Sequence, residues 1–101
     1  MAWERCARLL MLCSHVELDT LYTTMHTIVS NIQLHPNEMK YKELKQSNKT
    51  LRSKVLDLHG GLELLLCMGF TMDVHDDVKV YRYHFHETRQ LSSGLEWLRH
   101  E

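Results

Sequence analysis

Seven apolar residues between Leu18 and Ile32 decide most of what this chain can become. Leu18, Leu21, Tyr22, Met25, Ile28, Val29 and Ile32 recur at i, i+3, i+4 and i+7, the spacing that lines one face of an α-helix. Both ends of the pattern are marked. Ser14-His15-Val16-Glu17 reads as a capping box, the Ser14 hydroxyl accepting from a first-turn amide while the Glu17 carboxylate accepts from the amide of Ser14. At the far end Pro36 disfavours helical geometry at His35 and has no N–H to donate, so the helix should stop near Leu34. An apolar stripe of that length must be covered by other elements, and 101 residues supply enough for a single domain.

The remaining segments divide into two kinds. A first helix is predicted over Trp3 to Cys13, with Trp3, Cys6, Ala7, Leu10 and Met11 on one face. A short helix restarts at Asn37 or Glu38 and carries Tyr41 and Leu44; Asn48 looks like the N-cap of another, striped by Leu51, Val55 and Leu58. Gly60-Gly61 breaks that helix. Leu62 to Met68 is apolar almost all round, which places it at the centre of the core, and Gly69-Phe70 ends it as a left-handed glycine cap. The period then changes from helical to two. Lys79 to His86 alternates, with Tyr81, Tyr83 and Phe85 on one side and Val80, Arg82, His84 and His86 on the other. Phe70 to Val74 is its antiparallel partner across a turn at Asp76-Asp77, and a last helix runs from about Ser92 to His100. The expectation is an α+β domain over residues 1–101, mostly helical, with a small antiparallel sheet towards the C-terminus.

Composition narrows the class. With 44% hydrophobic and 25% charged residues the chain can form an ordinary core rather than a disordered tail. The apolar run from Leu64 to Gly69 is far short of the ~20 residues needed to span a bilayer, so no membrane association is expected. Leu9 to Cys13 is too short for a secretory core and lacks a cleavage site. Three cysteines, Cys6, Cys13 and Cys67, are an odd number without metal-type spacing, which predicts a reducing compartment: the cytoplasm, with the nucleus also open. A net charge of −1 argues against a general nucleic-acid binder. That balance hides an asymmetry, however. Lys40, Lys42, Lys45, Lys49, Arg52 and Lys54 face only Glu43 across their segment, six positive charges against one, so it carries +5 and the remainder −6. A basic stretch in an acidic chain points either to a solvated helical face or to an acidic partner at one place.

Catalytic chemistry finds little support. The cysteines lie in apolar stripes, where thiols are small core residues with raised pKa. No Gly-rich phosphate loop, paired-carboxylate motif or His-Glu-x-x-His is present. His75, His84 and His86 could approach one metal ion, yet no cysteine or carboxylate stands at ligand spacing, and surface histidines on a half-exposed sheet are the plainer reading. The segment from Asn31 to Leu51 is more informative. It combines cations, the aromatic Tyr41, the amides Asn31 and Asn48, and a turn at Pro36. Such a set suits a peptide groove, with cations for acidic residues or a terminal carboxylate, amides for backbone groups and an apolar floor for an anchor side chain. Equally, Asn48 could be only a helix cap and Tyr41 only a core aromatic.

Several of these residues fall into an ordered set of motifs. Asn31-Ile32, His35-Pro36, Lys40-Tyr41-Lys42, Lys45, Asn48 and, later, Met68-Gly69-Phe70 resemble the PUB (or PUG) domain over residues 17–86. That module occurs in peptide:N-glycanase, in a UBX-domain cofactor and in the catalytic subunit of the linear ubiquitin ligase. The resemblance implies a protein-interaction adaptor, not an enzyme and without cofactor, that works in ubiquitin-linked quality control. Its implied partner is the C-terminal tail of the hexameric AAA+ unfoldase valosin-containing protein, an acidic-aliphatic-Tyr-Gly peptide, or a similar internal motif. Carried over by position, Asn31, Tyr41, Lys42, Lys45, Asn48, Leu51 and Gly69 would form the peptide site, with Asn48 hydrogen bonding to the peptide and Lys45 as a charge contact. Leu51 stands where several members have Phe, and Ser47 where Gly or another residue is common, which implies a shallower pocket floor. One shallow groove needs no second copy, so a monomer is expected. The alternatives are a PUB-like fold that binds a different peptide and a His-based zinc-binding domain.

Overall fold

A computed structural model describes residues 2–85 and 88–99. Helix α1 (Ala2–Leu10) is followed by the long α2 (His15–Leu34), the one-turn α3 (Met39–Lys42), strand β1 (Glu43–Lys45) and α4 (Lys49–Leu51). The last continues as a π-helical segment, Arg52–Leu56. Helix α5 (Gly61–Cys67), strands β2 (Phe70–His75) and β3 (Val78–Tyr83), and helix α6 (Arg89–Arg99) complete the chain. The fold is α+β, as the two periodicities predict.

Helix α2 has the expected start and stop. Its capping box is complete, with Glu17 N–H donating to Ser14 Oγ at 3.1 Å and Ser14 N–H donating to Glu17 Oε1 at 2.8 Å. Leu21, Met25, Val29 and Ile32 are fully buried, while Leu18, Tyr22 and Ile28 pack half-buried against the same core. Helix α1 is shorter than its pattern suggests. Leu12 and Cys13 amides donate to the carbonyls of Leu9 and Leu10, tightening the chain into a turn. Met11 is thereby 79% exposed instead of lying in the stripe.

The sheet differs from expectation in one respect. Its order is β1-β3-β2, with every pair antiparallel. The β2–β3 hairpin was predicted, and Asp76 and Asp77 form its two-residue turn, both with positive φ (50° and 63°). Strand β1 was not. The sequence read Leu44 into a short helix, but the helix ends at Lys42 and Glu43–Lys45 pairs with β3, Glu43 opposite Arg82 and Lys45 opposite Val80. Strand β3 ends at Tyr83, so Phe85 is half-exposed and meets Tyr83 edge-on at 5.4 Å. His86 and His100 lie outside the described residues.

One face of the sheet contributes Phe70, Tyr81 and Tyr83 to the core. Helix α5 supplies Leu64 and Leu65, and its C-cap residue Met68, all without exposure, but Leu66 is 47% exposed, so the helix borders the core rather than running through its centre. Its start is unusually close to the π-helical segment. A Cβ placed on Gly61 would lie 1.8 Å from the carbonyl oxygen of Val55, a distance only glycine permits. At its other end Gly69 has φ +107°, the left-handed cap that turns the chain into β2. Helix α6 begins three residues earlier than expected and packs Leu91, Gly94 and Leu98 inward.

Candidate functional site: a cation-rimmed groove

Helices α2, α3 and α4, strand β1 and the π-helical segment surround a groove of about 750 Å³. Helix α2 contributes Thr23, Thr24, Thr27 and Ile28 as one wall. The opposite side is built by Lys40, by β1 with Glu43, Leu44 and Lys45, and by Ser47 and Asn48; Thr50, Leu51 and Lys54 close it. The local reasons are visible in the chain. On α2 the threonines occupy helical positions beside the apolar stripe, so they flank the core and face outward. Because β1 is an edge strand, the groove lies along the border of the sheet. Ile28, Leu44 and Leu51 give it an apolar floor, and Lys40, Lys45 and Lys54 a positive rim. Glu43 is the one carboxylate among the described residues that line it.

Asn48 holds the helix behind the groove. Its Oδ1 accepts from the Leu51 amide at 3.0 Å, an N-cap as predicted. Its amide NH₂ makes no hydrogen bond among the described residues, and Asn48 lines the groove, so the cap and the site are compatible roles of one side chain. Lys45 is exposed and makes no ion pair among the described residues. Such an arrangement can take an extended acidic chain: anions on the ammonium groups, main-chain groups on the amide and hydroxyls, one apolar side chain on the floor.

Of the seven residues singled out from the sequence, Lys45, Asn48 and Leu51 line this groove. Asn31 lies one turn along α2 from Thr27 and Ile28 on the same face, outside the lining, with its carbonyl accepting from His35 N–H. Tyr41 is half-buried behind the rim, stacked on His35 with ring centroids 4.6 Å apart, and the Lys40 ammonium lies 5.1 Å from its ring. Lys42 points the other way. It is only 3% exposed, and its ammonium donates to the Phe85 carbonyl at 3.0 Å, which ties α3 to the end of β3 instead of offering a charge to a ligand. Gly69 is also elsewhere, packed by Tyr83 and by Gln90 of α6. Lys40, Glu43 and Lys54 belong to the basic stretch that the sequence already marks; what sequence reasoning missed is the α2 wall. The outward threonines at helical spacing were the only available sign of it.

The alternative centres do not assemble among the described residues; His86 of the His75, His84 and His86 set lies outside them. Among the described residues no three His, Cys, Asp or Glu side chains could hold a metal ion. His75 pairs with Asp76 and His84 with Asp73. The cysteines are all free. Burial, reinforced by the nearby carboxylates of Glu17 and Glu63, pushes the Cys13 and Cys67 thiols up from their ordinary pKa, which disfavours the nucleophilic thiolate. Cys6 is fully buried. Among the described residues no helix is long and apolar enough to cross a membrane.

A family model of the PUB domain matches residues 15–96, from the first turn of α2 into α6. No curated protein matches the chain.

Proposed function

The chain belongs to the PUB domain family, a family of protein-interaction modules, and on that premise we propose that it docks the protein carrying it onto the C-terminal tail of a hexameric AAA+ unfoldase, valosin-containing protein. The tail, of acidic-aliphatic-Tyr-Gly type, would lie in the groove between α2, β1 and α4. The observation that carries this reading is the groove's combination of a lysine rim with the floor of Ile28, Leu44 and Leu51. Its acidic residues meet Lys40, Lys45 and Lys54, its aromatic ring rests on the apolar floor, and the Asn48 amide reaches its main chain. The role is that of an adaptor in ubiquitin-linked quality control, in the cytoplasm or nucleus, acting as a monomer.

Fluorescence anisotropy with a labelled C-terminal decapeptide of the unfoldase tests the proposal. Micromolar binding is expected, with loss of binding when the tail tyrosine carries phosphate, because a doubly charged group would then enter an apolar floor at a cost of several kcal/mol. Absence of binding at several hundred micromolar, on the order of 5 kcal/mol or less in affinity, would overturn it and leave another peptide as the ligand.

A further inference from the structure

We propose that Arg82, which does not line the groove, is a positioning residue for it: it holds and neutralises the one carboxylate that would otherwise repel an acidic ligand. The inference rests on the peptide-binding reading above. The antiparallel register sets Glu43 of β1 directly opposite Arg82 of β3. Arg82 Nε lies 3.5 Å from Glu43 Oε1, and one terminal nitrogen lies 3.7 Å from Asp73 Oδ2 on β2. The guanidinium is thus held between carboxylates from both neighbouring strands. Its Nε is buried without a hydrogen-bond partner among the described residues, so the Glu43 carboxylate is its electrostatic compensation. Both side chains are less than a third exposed, which weakens the screening that makes a surface pair negligible.

Glu43 meanwhile lines the groove among Lys40, Lys45 and Lys54. A carboxylate left free there has two effects on an acidic peptide. It repels the ligand's own carboxylates, and it competes with them for the lysines. Arg82 approaches from the sheet, outside the lining, and keeps Glu43 occupied on that side. Lys45 and Lys54 then meet the ligand without competition from Glu43, while the Lys40 ammonium is shared with Glu38 at 3.7 Å. Asp73 faces the other side of the guanidinium, and His84, just beyond β3, lies 3.7 Å from the same Asp73 oxygen.

A double-mutant cycle on the whole domain tests this with two probes. One is the acidic tail decapeptide, alongside a copy whose carboxylates are replaced by amides; the other is hexaglutamate at low salt, which needs no tail specificity. Arg82→Met should weaken both acidic probes about threefold to fivefold and leave the amide peptide unchanged. Glu43→Gln should strengthen the acidic probes, and adding Arg82→Met to Glu43→Gln should cost nothing further. Arg82→Lys should restore part of the loss. Equal losses for acidic and amide peptides would show a merely structural role and overturn the proposal, as would undiminished binding of acidic probes to folded Arg82→Met. If the tail fails but hexaglutamate shows the Arg82 dependence, the tail reading falls and this inference stands. If neither acidic probe binds, both fall.

Discussion

Gly61→Ala is the substitution whose consequence follows most directly from the geometry. The added methyl would sit 1.8 Å from the carbonyl oxygen of Val55 and 2.7 Å from its carbonyl carbon. Alanine has no χ angle with which to turn away, and the obstacle is backbone. Helix α5 and the π-helical segment must therefore separate by more than about 1 Å, in an interior packed as densely as an organic crystal. Helix α5 and its C-cap residue carry Leu64, Leu65 and Met68, all fully buried, so the shift strips contacts from the core. Forced overpacking costs about 1–3 kcal/mol by itself. With the displaced helix the total should be about 3–5 kcal/mol, the range of the most damaging single substitutions. For a domain of this size that corresponds to a fall in Tm of roughly 15–30 °C. Gly94→Ala is the control. Its methyl would meet Met68 Cγ at 2.7 Å and Cε at 2.9 Å, atoms of a flexible side chain, and the helix gains about 1 kcal/mol from losing a glycine. It should cost no more than about 1 kcal/mol. Urea unfolding of the three proteins provides the comparison, with m-values to check that the denatured state is unchanged. A Gly61→Ala protein within about 1 kcal/mol of the parent would refute the reasoning.

Three further outcomes are expected. Asn48→Asp should keep the N-cap, and hence Tm, while placing a negative charge in the groove that weakens acidic-tail binding; Asn48→Ala should lose binding and about 1 kcal/mol of stability together. Calorimetry beside anisotropy separates the two effects, and unaltered affinity in Asn48→Asp would exclude the side chain from the site. Asp77→Gly should stabilise the hairpin by about 0.5–1 kcal/mol, since φ is +63° there and a left-handed conformation strains a residue with a Cβ; thermal unfolding at fixed pH reads it. Cys13 and Cys67 should be alkylated by iodoacetamide more slowly than a free thiol at any neutral pH, because a raised pKa means less thiolate, and the rate should rise only at higher pH than for a free thiol. Mass spectrometry of the labelled peptides follows each site, and faster-than-peptide labelling at Cys13 would contradict the direction.

What could be read before the structure was whatever neighbours in sequence determine. The capping box at Ser14 and Glu17, the stripe of α2, the N-cap at Asn48 and the Asp76-Asp77 turn are all local, and all are found. Strand β1 is different. Glu43-Leu44-Lys45 has no strand signature of its own; it is extended because β3, almost forty residues later, supplies its hydrogen-bonding partner. The same divide runs through the site. Lys45, Asn48 and Leu51 lie close together in sequence and line one groove. Lys42 looked like one more cation of the basic run, and only the Phe85 carbonyl forty-three residues away reveals it as a buried tie. Gly69 was legible as a left-handed cap but not as lying beside α6 and apart from the groove.

The Trp3 and Trp97 rings meet with centroids 4.6 Å apart, so α1 and α6, the first and last of the described helices, touch one another. Polypeptide therefore enters and leaves this fold at one place. A module of that kind can be inserted into a surface loop of a host protein without stretching the host. It can also be rewired: a short linker joining the two tryptophan ends, with new termini opened at the exposed Asp76-Asp77 turn, gives a circular permutant in which α2, β1 and α4 remain on one continuous stretch of chain.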